Sequence, residues 1–256
     1  MDAFITGGTG FVGTYLSRFL LEKGHSVTVL ARREVKGPHF PARVRQVIGD
    51  GTKQGLWQDE VAGHDVVINL AGTSIFKRWN EDYKRRLRES RILTTRHVVE
   101  ALPANPGGDV VFLSTSAIGY YGFTTDQELY EDSPAGTDFL AGLALDWETE
   151  ALLAEKKGVR TVITRFGVVL GNDGGALAQI TLPFKFFVGG PIGSGRQWVS
   201  WIHINDLARA MLFCMETKEI NGPVNFTARN RLEAPIWLRR SVGPYAVPIS
   251  CRHRAS

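Results

Sequence analysis

Short apolar runs alternate with amphipathic stretches along most of the chain, the pattern of strands followed by helices. The first apolar run, residues 4–6, breaks into glycines, and an apolar stripe with helical spacing follows from Val12 to Leu20. Gly24 then ends this predicted helix before a second apolar run, residues 26–31. The opening of the chain therefore predicts a strand, a tight turn, a helix and a second strand.

The same alternation continues beyond this unit. Further predicted strands are nearly continuous apolar runs, as buried parallel strands require, at residues 44–48, 65–70, 109–113, 159–165 and 223–227. One predicted helix runs from a cap at Asn80 to about Leu102, and a second spans residues 139–157. A third begins after a cap at Asn205-Asp206. Strands that alternate with helices indicate an α/β protein with a Rossmann-type doubly wound parallel sheet.

The pattern changes in the last third of the chain. Residues 1–165 are predicted to form the nucleotide-binding domain, completed by a returning strand near 223–228. Residues 166–228 are rich in glycine and are predicted to form a small, truncated substrate lobe. Residues 229–256 show neither helical nor strand periodicity, so this tail is expected to be loosely ordered and dispensable for nucleotide binding.

Composition narrows the class of protein. The chain has 256 residues, of which 43% are hydrophobic and 22% charged, which is ordinary for a soluble protein. No apolar run could span a bilayer, and Met1 leads directly into the first strand without a signal peptide. Two separated cysteines, Cys214 and Cys251, indicate neither a disulfide framework nor a metal site. A cytoplasmic protein without a membrane partner is expected.

The net charge of +4 raises the question of nucleic-acid binding. The excess lies in the tail, where residues 229–256 hold six arginines and one acid, whereas residues 1–228 hold 24 bases and 25 acids. A nucleic-acid partner is therefore not expected, and a small-molecule substrate is. A short lobe would leave the apolar stretch 182–188 uncovered, which would favour self-association into a homodimer.

The glycine-rich turn carries the clearest chemistry. Gly7 can adopt the backbone angles of a sharp turn, Gly10 allows the main chain to approach a pyrophosphate, and Gly13 allows the helix to pack closely on the strand. The helix amino terminus then presents unpaired N–H groups to an anion. The strand before the turn and the helix after it favour dinucleotide binding over a purely structural turn.

Other candidate residues follow predicted strands, where ligands bind in such sheets. Asp50 and Gly51 follow the third strand, and the acid could contact an adenine or simply stabilise a turn. The motif Asn69-Leu70-Ala71-Gly72 follows the fourth strand, and Ser114-Thr115-Ser116 follows the fifth. All of these are expected at one edge of the sheet.

The motifs Thr6 to Gly13, Asn69 to Gly72, Ser114 to Ala117 and Trp201 to Asp206 together resemble the extended short-chain dehydrogenases/reductases of the NAD-dependent epimerase/dehydratase type. The chain is most similar to the branch called epimerase family proteins. The resemblance and the pattern together imply cofactor contacts from Gly7, Thr9, Gly10, Phe11, Val12, Gly13, Ala31, Arg32, Asp50, Gly51, Leu70, Ala71, Gly72, Arg91 and Ser114.

The second strand ends in Ala31-Arg32-Arg33, where enzymes that use NAD commonly carry an acid for the ribose 2′-hydroxyl. An arginine suits a 2′-phosphate instead, because its planar fork can bond two oxygens at once. NADP(H) is therefore predicted rather than NAD(H), with Arg32 as the phosphate ligand.

The resemblance also implies a catalytic set. In the wider family a tyrosine, with a lysine four residues later, is the general acid/base, and a serine binds the reacting oxygen. Ser116 matches the serine, but none of the six tyrosines has a lysine four residues on. Tyr120 or Tyr121 is the expected substitute proton donor. The prediction is an NADP(H)-dependent oxidoreductase or epimerase for a small hydroxyl- or carbonyl-bearing substrate, and the alternative is a catalytically silent NADP(H) sensor.

Overall fold

The computed structural model describes residues 1–106, 110–123, 126–172, 174–185, 198–229 and 232–233. The strands within these ranges are β1 (Asp2–Thr6), β2 (Ser26–Ala31), β3 (Arg45–Ile48), β4 (Val66–Asn69), β5 (Val111–Ala117), β6 (Arg160–Phe166), β7 (Val168–Leu170), β8 (Trp198–Val199), β9 (Trp201–His203), β10 (Gly222–Phe226) and β11 (Leu232–Glu233). The α-helices are α1 (Phe11–Glu22), α2 (Glu81–Ala101), α3 (Phe139–Leu152), α4 (Gly175–Lys185) and α5 (Ile204–Glu216).

Seven strands form one parallel sheet in the order β3-β2-β1-β4-β5-β6-β10. The chain moves outward from β1 to β3, then returns to the other side of β1 and moves outward again through β4. This order is that of a Rossmann fold, as predicted. The reversal between β1 and β4 opens a crevice at their carboxyl ends, where such sheets bind their ligands.

The core lies on both faces of the sheet because successive side chains of a strand point to opposite faces. Ala3 and Ile5 pack in one cluster with Leu16 of α1 and Met211 of α5. Phe4 packs in the other cluster, with side chains of α2 and β5. Helices thus cover both faces, which confirms the doubly wound arrangement and fixes the strand ends that hold the site.

Helix α5 lies in this core, although its sequence position falls within the predicted lobe. It begins at Ile204, before the predicted Asn205-Asp206 start, because the ring nitrogen Nδ1 of His203 accepts a hydrogen bond of 3.2 Å from the Asn205 N–H. The predicted cap is therefore wrong by two residues, and His203 has a structural role. Outside the main sheet, β7 pairs with β9 and β8 with β11.

Some predictions fall outside the described residues. These are the predicted start of β5 at residue 109, residues 186–188 of the apolar stretch 182–188, and nearly all of the tail from residue 230 onward. Leu182, which is described, is 50% exposed. Within the described part of the chain, no helix is both long and apolar enough to cross a membrane.

Candidate functional site

The turn between β1 and α1 requires glycine. Gly7 has a φ of +69°, and a Cβ at this position would lie 2.7 Å from the carbonyl carbon of Leu70. A Cβ on Gly13 would lie 2.5 Å from the Cα of Gly8. Real Cβ atoms do not approach other atoms this closely, so any other residue would move helix α1 away from the turn. The two glycines thus hold the first turn of α1 against the ends of β1 and β4.

The amino terminus of α1 is left open by its sequence. Its N-cap residue, Gly10, makes no side-chain capping hydrogen bond, and the first turn contains no acidic residue. The first N–H groups of a helix have no partner within the helix, and the helix dipole adds partial positive charge there. This end of α1 therefore fits a phosphate group.

A cleft of about 490 Å³ lies in front of this helix end, at the reversal between β1 and β4. Nine of the predicted cofactor residues line it: Gly7, Thr9, Gly10, Arg32, Asp50, Gly51, Leu70, Ala71 and Gly72. We call it the dinucleotide cleft. Side chains that the sequence analysis did not select also line it, among them Lys77, Tyr83 and Thr94.

Arg32 and Asp50 both line the dinucleotide cleft. Arg32 is exposed and follows β2, whereas Arg33 does not line the cleft. The Asp50 carboxylate accepts hydrogen bonds from the N–H of Thr52 at 3.0 Å and from its hydroxyl at 2.8 Å. Burial opposes ionisation of Asp50, but these bonds and the charges of Lys53 and Arg32 hold its pKa below its ordinary value. Asp50 therefore stabilises a turn, and an adenine contact stays a prediction.

Four predicted cofactor residues do not line a cleft. Val12 and Gly13 lie in the first turn of α1, and Ala31 is 3% exposed at the end of β2. The Ser114 side chain is 1% exposed and accepts a hydrogen bond of 3.5 Å from Asn69. The Ser114 side chain thus lies in a buried hydrogen-bond network, and a contact between Ser114 and the cofactor stays a prediction.

That network joins the strand ends at the crevice. The Thr6 hydroxyl donates to the side-chain oxygen Oδ1 of Asn69 at 2.6 Å, and the side-chain nitrogen Nδ2 of Asn69 donates to the Thr95 hydroxyl at 2.7 Å. The indole N–H of Trp147 also donates to Thr95, at 2.8 Å. Because each of these buried groups has a partner, the network links β1, β4, α2 and α3 without leaving polar atoms unsatisfied.

A second cleft, of about 430 Å³, adjoins the first, and the two share Leu70, Gly72, Thr73 and Ser74. We call it the apolar cleft. Most of its described lining is hydrophobic, including Phe76, Ile118, Leu140, Leu143, Ala144, Trp147, Val168 and Ala176.

Phe11, predicted to contact the cofactor, also lines the apolar cleft, and its ring packs against a glycine-rich loop. A Cβ on Gly171 or on Gly175 would lie 2.9 or 2.6 Å from atoms of this ring. The loop glycines that marked the predicted lobe therefore have a specific function: they let the lobe approach the start of α1.

Ser116 lies at the wall of the apolar cleft and is the end of a buried chain of polar groups. Its hydroxyl donates to Glu148 Oε1 at 2.6 Å, and Arg165 binds both carboxylate oxygens of Glu148 at 2.9 and 2.7 Å. Glu148 and Arg165 are 6% and 3% exposed. The sequence analysis missed both charged residues, although Glu148 interrupts an otherwise apolar face of α3.

Tyr120 and Tyr121 line neither cleft. The Tyr121 hydroxyl donates to Asn225 and accepts from Arg165, both at 2.8 Å, and the side chain is buried. The Tyr120 ring lies over the Arg165 guanidinium, 3.6 Å from ring centroid to Cζ. Both tyrosines therefore contact Arg165, and a role for either of them as the proton donor stays a prediction.

Arg91 was predicted to bind cofactor, and it lines the apolar cleft rather than the dinucleotide cleft. Its guanidinium donates to the carbonyl oxygens of Leu87 and Thr73, and it lies 5.2 Å from the Trp147 ring centroid. Burial lowers its pKa to about 10, an effect that Tyr83 partly offsets. Across the ranges that the structure describes, three or more His, Cys, Asp or Glu side chains nowhere form a candidate metal site.

Proteins with this strand order and a glycine turn before a helix of this kind are Rossmann-type dinucleotide-binding proteins, and the present chain is one of that class. Residues 3–226 match the NAD dependent epimerase/dehydratase family. The chain belongs to this family, whose members bind a nicotinamide cofactor.

Relatives and solved structures agree with this placement. An epimerase family protein of Staphylococcus saprophyticus is 41% identical over 227 residues, covering 88% of this chain and 74% of that protein. Epimerase family protein YfhF of Bacillus subtilis is 40% identical over 234 residues, covering 91% and 76%. The crystal structure of human epimerase family protein SDR39U1 with NADPH has a TM-score of 0.75 and 34% identity, covering 91% of this chain and 76% of that one.

A second solved structure is described as a nucleoside-diphosphate sugar epimerase from Corynebacterium glutamicum. It has a TM-score of 0.77 and 33% identity, and the match covers 94% of this chain and 49% of that chain.

Proposed function

We propose that this protein is an NADP(H)-dependent oxidoreductase or epimerase that acts on a small substrate bearing a hydroxyl or carbonyl group. The observation that carries the proposal is that the two clefts share a wall, formed by residue 70 and residues 72–74. A dinucleotide held by its phosphates at α1 extends along one cleft and reaches the other at Ser116. The human relative solved with NADPH supports the choice of cofactor.

The described residues fit such a cofactor. Gly7 and Gly13 leave space that a Cβ would fill, and the open end of α1 supplies N–H donors for the pyrophosphate. Arg32 supplies a guanidinium for the 2′-phosphate. When bound, NADP(H) supplies the hydride donor or acceptor, and the apolar side chains of the second cleft exclude water from the reacting atoms.

The hydroxyl of Ser116 has a defined hydrogen-bond direction in this site. Glu148 is paired with Arg165 and can only accept hydrogen bonds as a carboxylate, so the Ser116 proton points toward Glu148. The lone pairs of the serine oxygen are then left for the cleft. Ser116 is thus suited to accept a hydrogen bond from a substrate hydroxyl, and the Glu148–Arg165 pair holds it in that orientation.

Replacing Arg32 with aspartate is expected to reverse the cofactor preference. At a hundredfold excess over its dissociation constant, NADP⁺ should stabilise the wild-type fold by about 2.7 kcal/mol, and NAD⁺ should stabilise it less. Arg32→Asp removes the phosphate ligand and supplies a carboxylate for the ribose 2′-hydroxyl, so NAD⁺ should protect this variant better than NADP⁺.

Urea unfolding of both proteins with each nucleotide is the measurement, and Arg33→Asp is the matched control because Arg33 does not line the cleft. Equal protection of the wild type by both nucleotides, or an unchanged preference in Arg32→Asp, would disprove the assignment.

Replacing Ser116 with alanine is expected to reduce turnover without weakening NADP(H) binding. The hydroxyl lines the apolar cleft and not the dinucleotide cleft. In any NADP⁺-linked alcohol oxidation that the protein catalyses, we expect kcat/KM to fall about tenfold, the effect of one lost hydrogen bond. Nucleotide affinity, measured by fluorescence titration, should stay within about twofold of the wild type. An active enzyme that tolerates Ser116→Ala unchanged would exclude the serine from the mechanism.

A second candidate function is a catalytically silent NADP(H) sensor. Two observations favour it: the sequence lacks the tyrosine–lysine pair, and neither Tyr120 nor Tyr121 lines a cleft. It predicts tight NADP(H) binding together with no oxidation of NADPH by any member of a broad panel of aldehydes and ketones. Turnover of a single carbonyl substrate that depends on Ser116 would exclude this alternative.

A further inference from the structure

Two arginines lie near the apolar cleft, Arg165 buried and Arg91 half-buried, and only one of them has an acidic partner. Arg165 binds Glu148 through two hydrogen bonds of 2.9 and 2.7 Å. Arg91 donates to the carbonyl oxygens of Leu87 and Thr73, and no carboxylate of the described residues lies within ion-pair distance of it. The positive charge of Arg91 is therefore not neutralised by the protein groups described.

Arg91 is also well positioned to meet a ligand. It is the only charged side chain among the described residues that line the apolar cleft. A Cβ on Gly72 would lie 3.1 Å from its Cζ, and the Trp147 ring faces its guanidinium, so the side chain is held between a backbone wall and an aromatic wall. A guanidinium has five N–H donors, and two of these bonds are accounted for. The others are available to an anion.

Burial of a cation without a partner carries a free-energy cost, which the lowered pKa of Arg91, about 10, expresses. The same burial strengthens the bond that an entering anion would make, because little water competes for it. An exposed arginine on the same helix, such as Arg86, has no such advantage.

The rest of the cleft restricts what the anion can be attached to. The described lining is mainly aliphatic and aromatic, and its further polar side chains are the hydroxyls of Thr73, Ser74, Thr115 and Ser116. The Thr115 hydroxyl is buried and has no hydrogen-bond partner among the described residues. A sugar with many hydroxyls would lose hydrogen bonds to water here without regaining them, at a cost for each unpaired group. A mainly hydrophobic molecule would not.

We propose, on the basis of the function proposed above, that the apolar cleft binds a hydrophobic hydroxy acid, whose anionic group pairs with Arg91 and whose hydroxyl group donates a hydrogen bond to Ser116. This assigns the class of substrate and makes Arg91 a substrate ligand rather than a cofactor ligand. A nucleotide sugar, by contrast, does not match the chemistry of this cleft.

The test is calorimetric titration of the full chain saturated with NADP⁺. The probes are 3-phenyllactate, 2-hydroxyoctanoate and 3-hydroxyoctanoate, each compared with its own methyl ester, and UDP-glucose. We expect at least one acid to bind at least tenfold more tightly than its ester and more tightly than UDP-glucose, because the ester cannot form the ion pair with Arg91. If no acid exceeds its ester, or if UDP-glucose binds most tightly, the proposal is overturned.

Substitutions at Arg91 and Arg86 test whether the anionic group of the ligand binds at Arg91. Arg91→Gln should weaken binding of the acid about tenfold or more and leave the ester unaffected, whereas Arg86→Gln on the exposed face of α2 should change neither. Arg91→Lys keeps the charge and should recover part of the affinity.

A separate titration with NADP⁺ distinguishes this proposal from the function on which it rests. Loss of NADP⁺ affinity in Arg91→Gln with unchanged acid binding would show that the cofactor is the anion and would overturn the proposal alone. A wild-type protein that does not bind NADP⁺ would instead reject the proposed function. Circular dichroism of each variant checks that it folds, and Arg91→Lys serves as the test if Arg91→Gln does not.

Discussion

Replacing Glu148 with glutamine is expected to lower the free energy of unfolding by about 3–5 kcal/mol, because it leaves the buried Arg165 guanidinium without its negative partner. The matched control is Glu150→Gln, two residues further along α3. Glu150 pairs with Arg96 at 2.9 Å, but the Arg96 side chain is 47% exposed. Such a surface pair contributes about 1 kcal/mol or less.

Urea unfolding monitored by circular dichroism measures both effects. A double variant, Glu148→Leu with Arg165→Met, should recover much of the loss because it leaves no unpaired charge in the core. If Glu148→Gln and Glu150→Gln lowered the free energy of unfolding equally, the role assigned to the buried Glu148–Arg165 pair would be wrong. Ser116, whose hydroxyl donates to Glu148, would also lose its fixed orientation in the single variant, so turnover should fall along with stability.

Replacing Gly13 with alanine is expected to reduce NADP⁺ affinity about a hundredfold, the equivalent of one or two charge-assisted hydrogen bonds of about 1.5–3 kcal/mol each. The added methyl group would lie 2.5 Å from the Cα of Gly8, so α1 must move away from the turn. The N–H groups at its start then no longer point at the pyrophosphate. Overpacking should also lower the free energy of unfolding by about 1–3 kcal/mol.

Gly142→Ala is the control for this substitution. Gly142 lies inside α3, and a Cβ there would meet nothing within 4 Å. Alanine is the better helix former, so Gly142→Ala should raise the free energy of unfolding by about 0.5–1 kcal/mol and leave NADP⁺ affinity unchanged. Isothermal titration of both variants provides the affinities. Wild-type affinity in Gly13→Ala would rule out the close packing of α1 on the turn.

The sequence was sufficient to predict those parts of the site that are local in the chain. The glycine turn, the strand ends and Arg32 each follow from a run of a few residues, because strand, turn and helix signals act over short distances. The parallel sheet orders these runs by general rules of connection. For that reason nine of the predicted cofactor residues line one cleft.

The rest of the site depends on contacts between residues far apart in the sequence. Glu148 and Arg165 meet only because α3 packs on the sheet beside β6. Tyr120 and Tyr121 follow Ser116 closely, but the 3₁₀ turn Ile118–Tyr121 directs them to Arg165 rather than to the cleft. Arg91 was assigned to the cofactor by resemblance, and only the packing of α2 against α3 places it in the apolar cleft. Periodicity contains no information about such contacts.

The central claim is that a dinucleotide bound at α1 reaches the apolar cleft beside Ser116. A crystal structure of the protein with NADP⁺ tests this most directly. The account predicts the pyrophosphate at the amino terminus of α1, the 2′-phosphate within hydrogen-bond distance of Arg32, and the nicotinamide ring where the two clefts meet, facing Ser116. A nicotinamide ring outside the apolar cleft, or a 2′-phosphate without contact to Arg32, would contradict it.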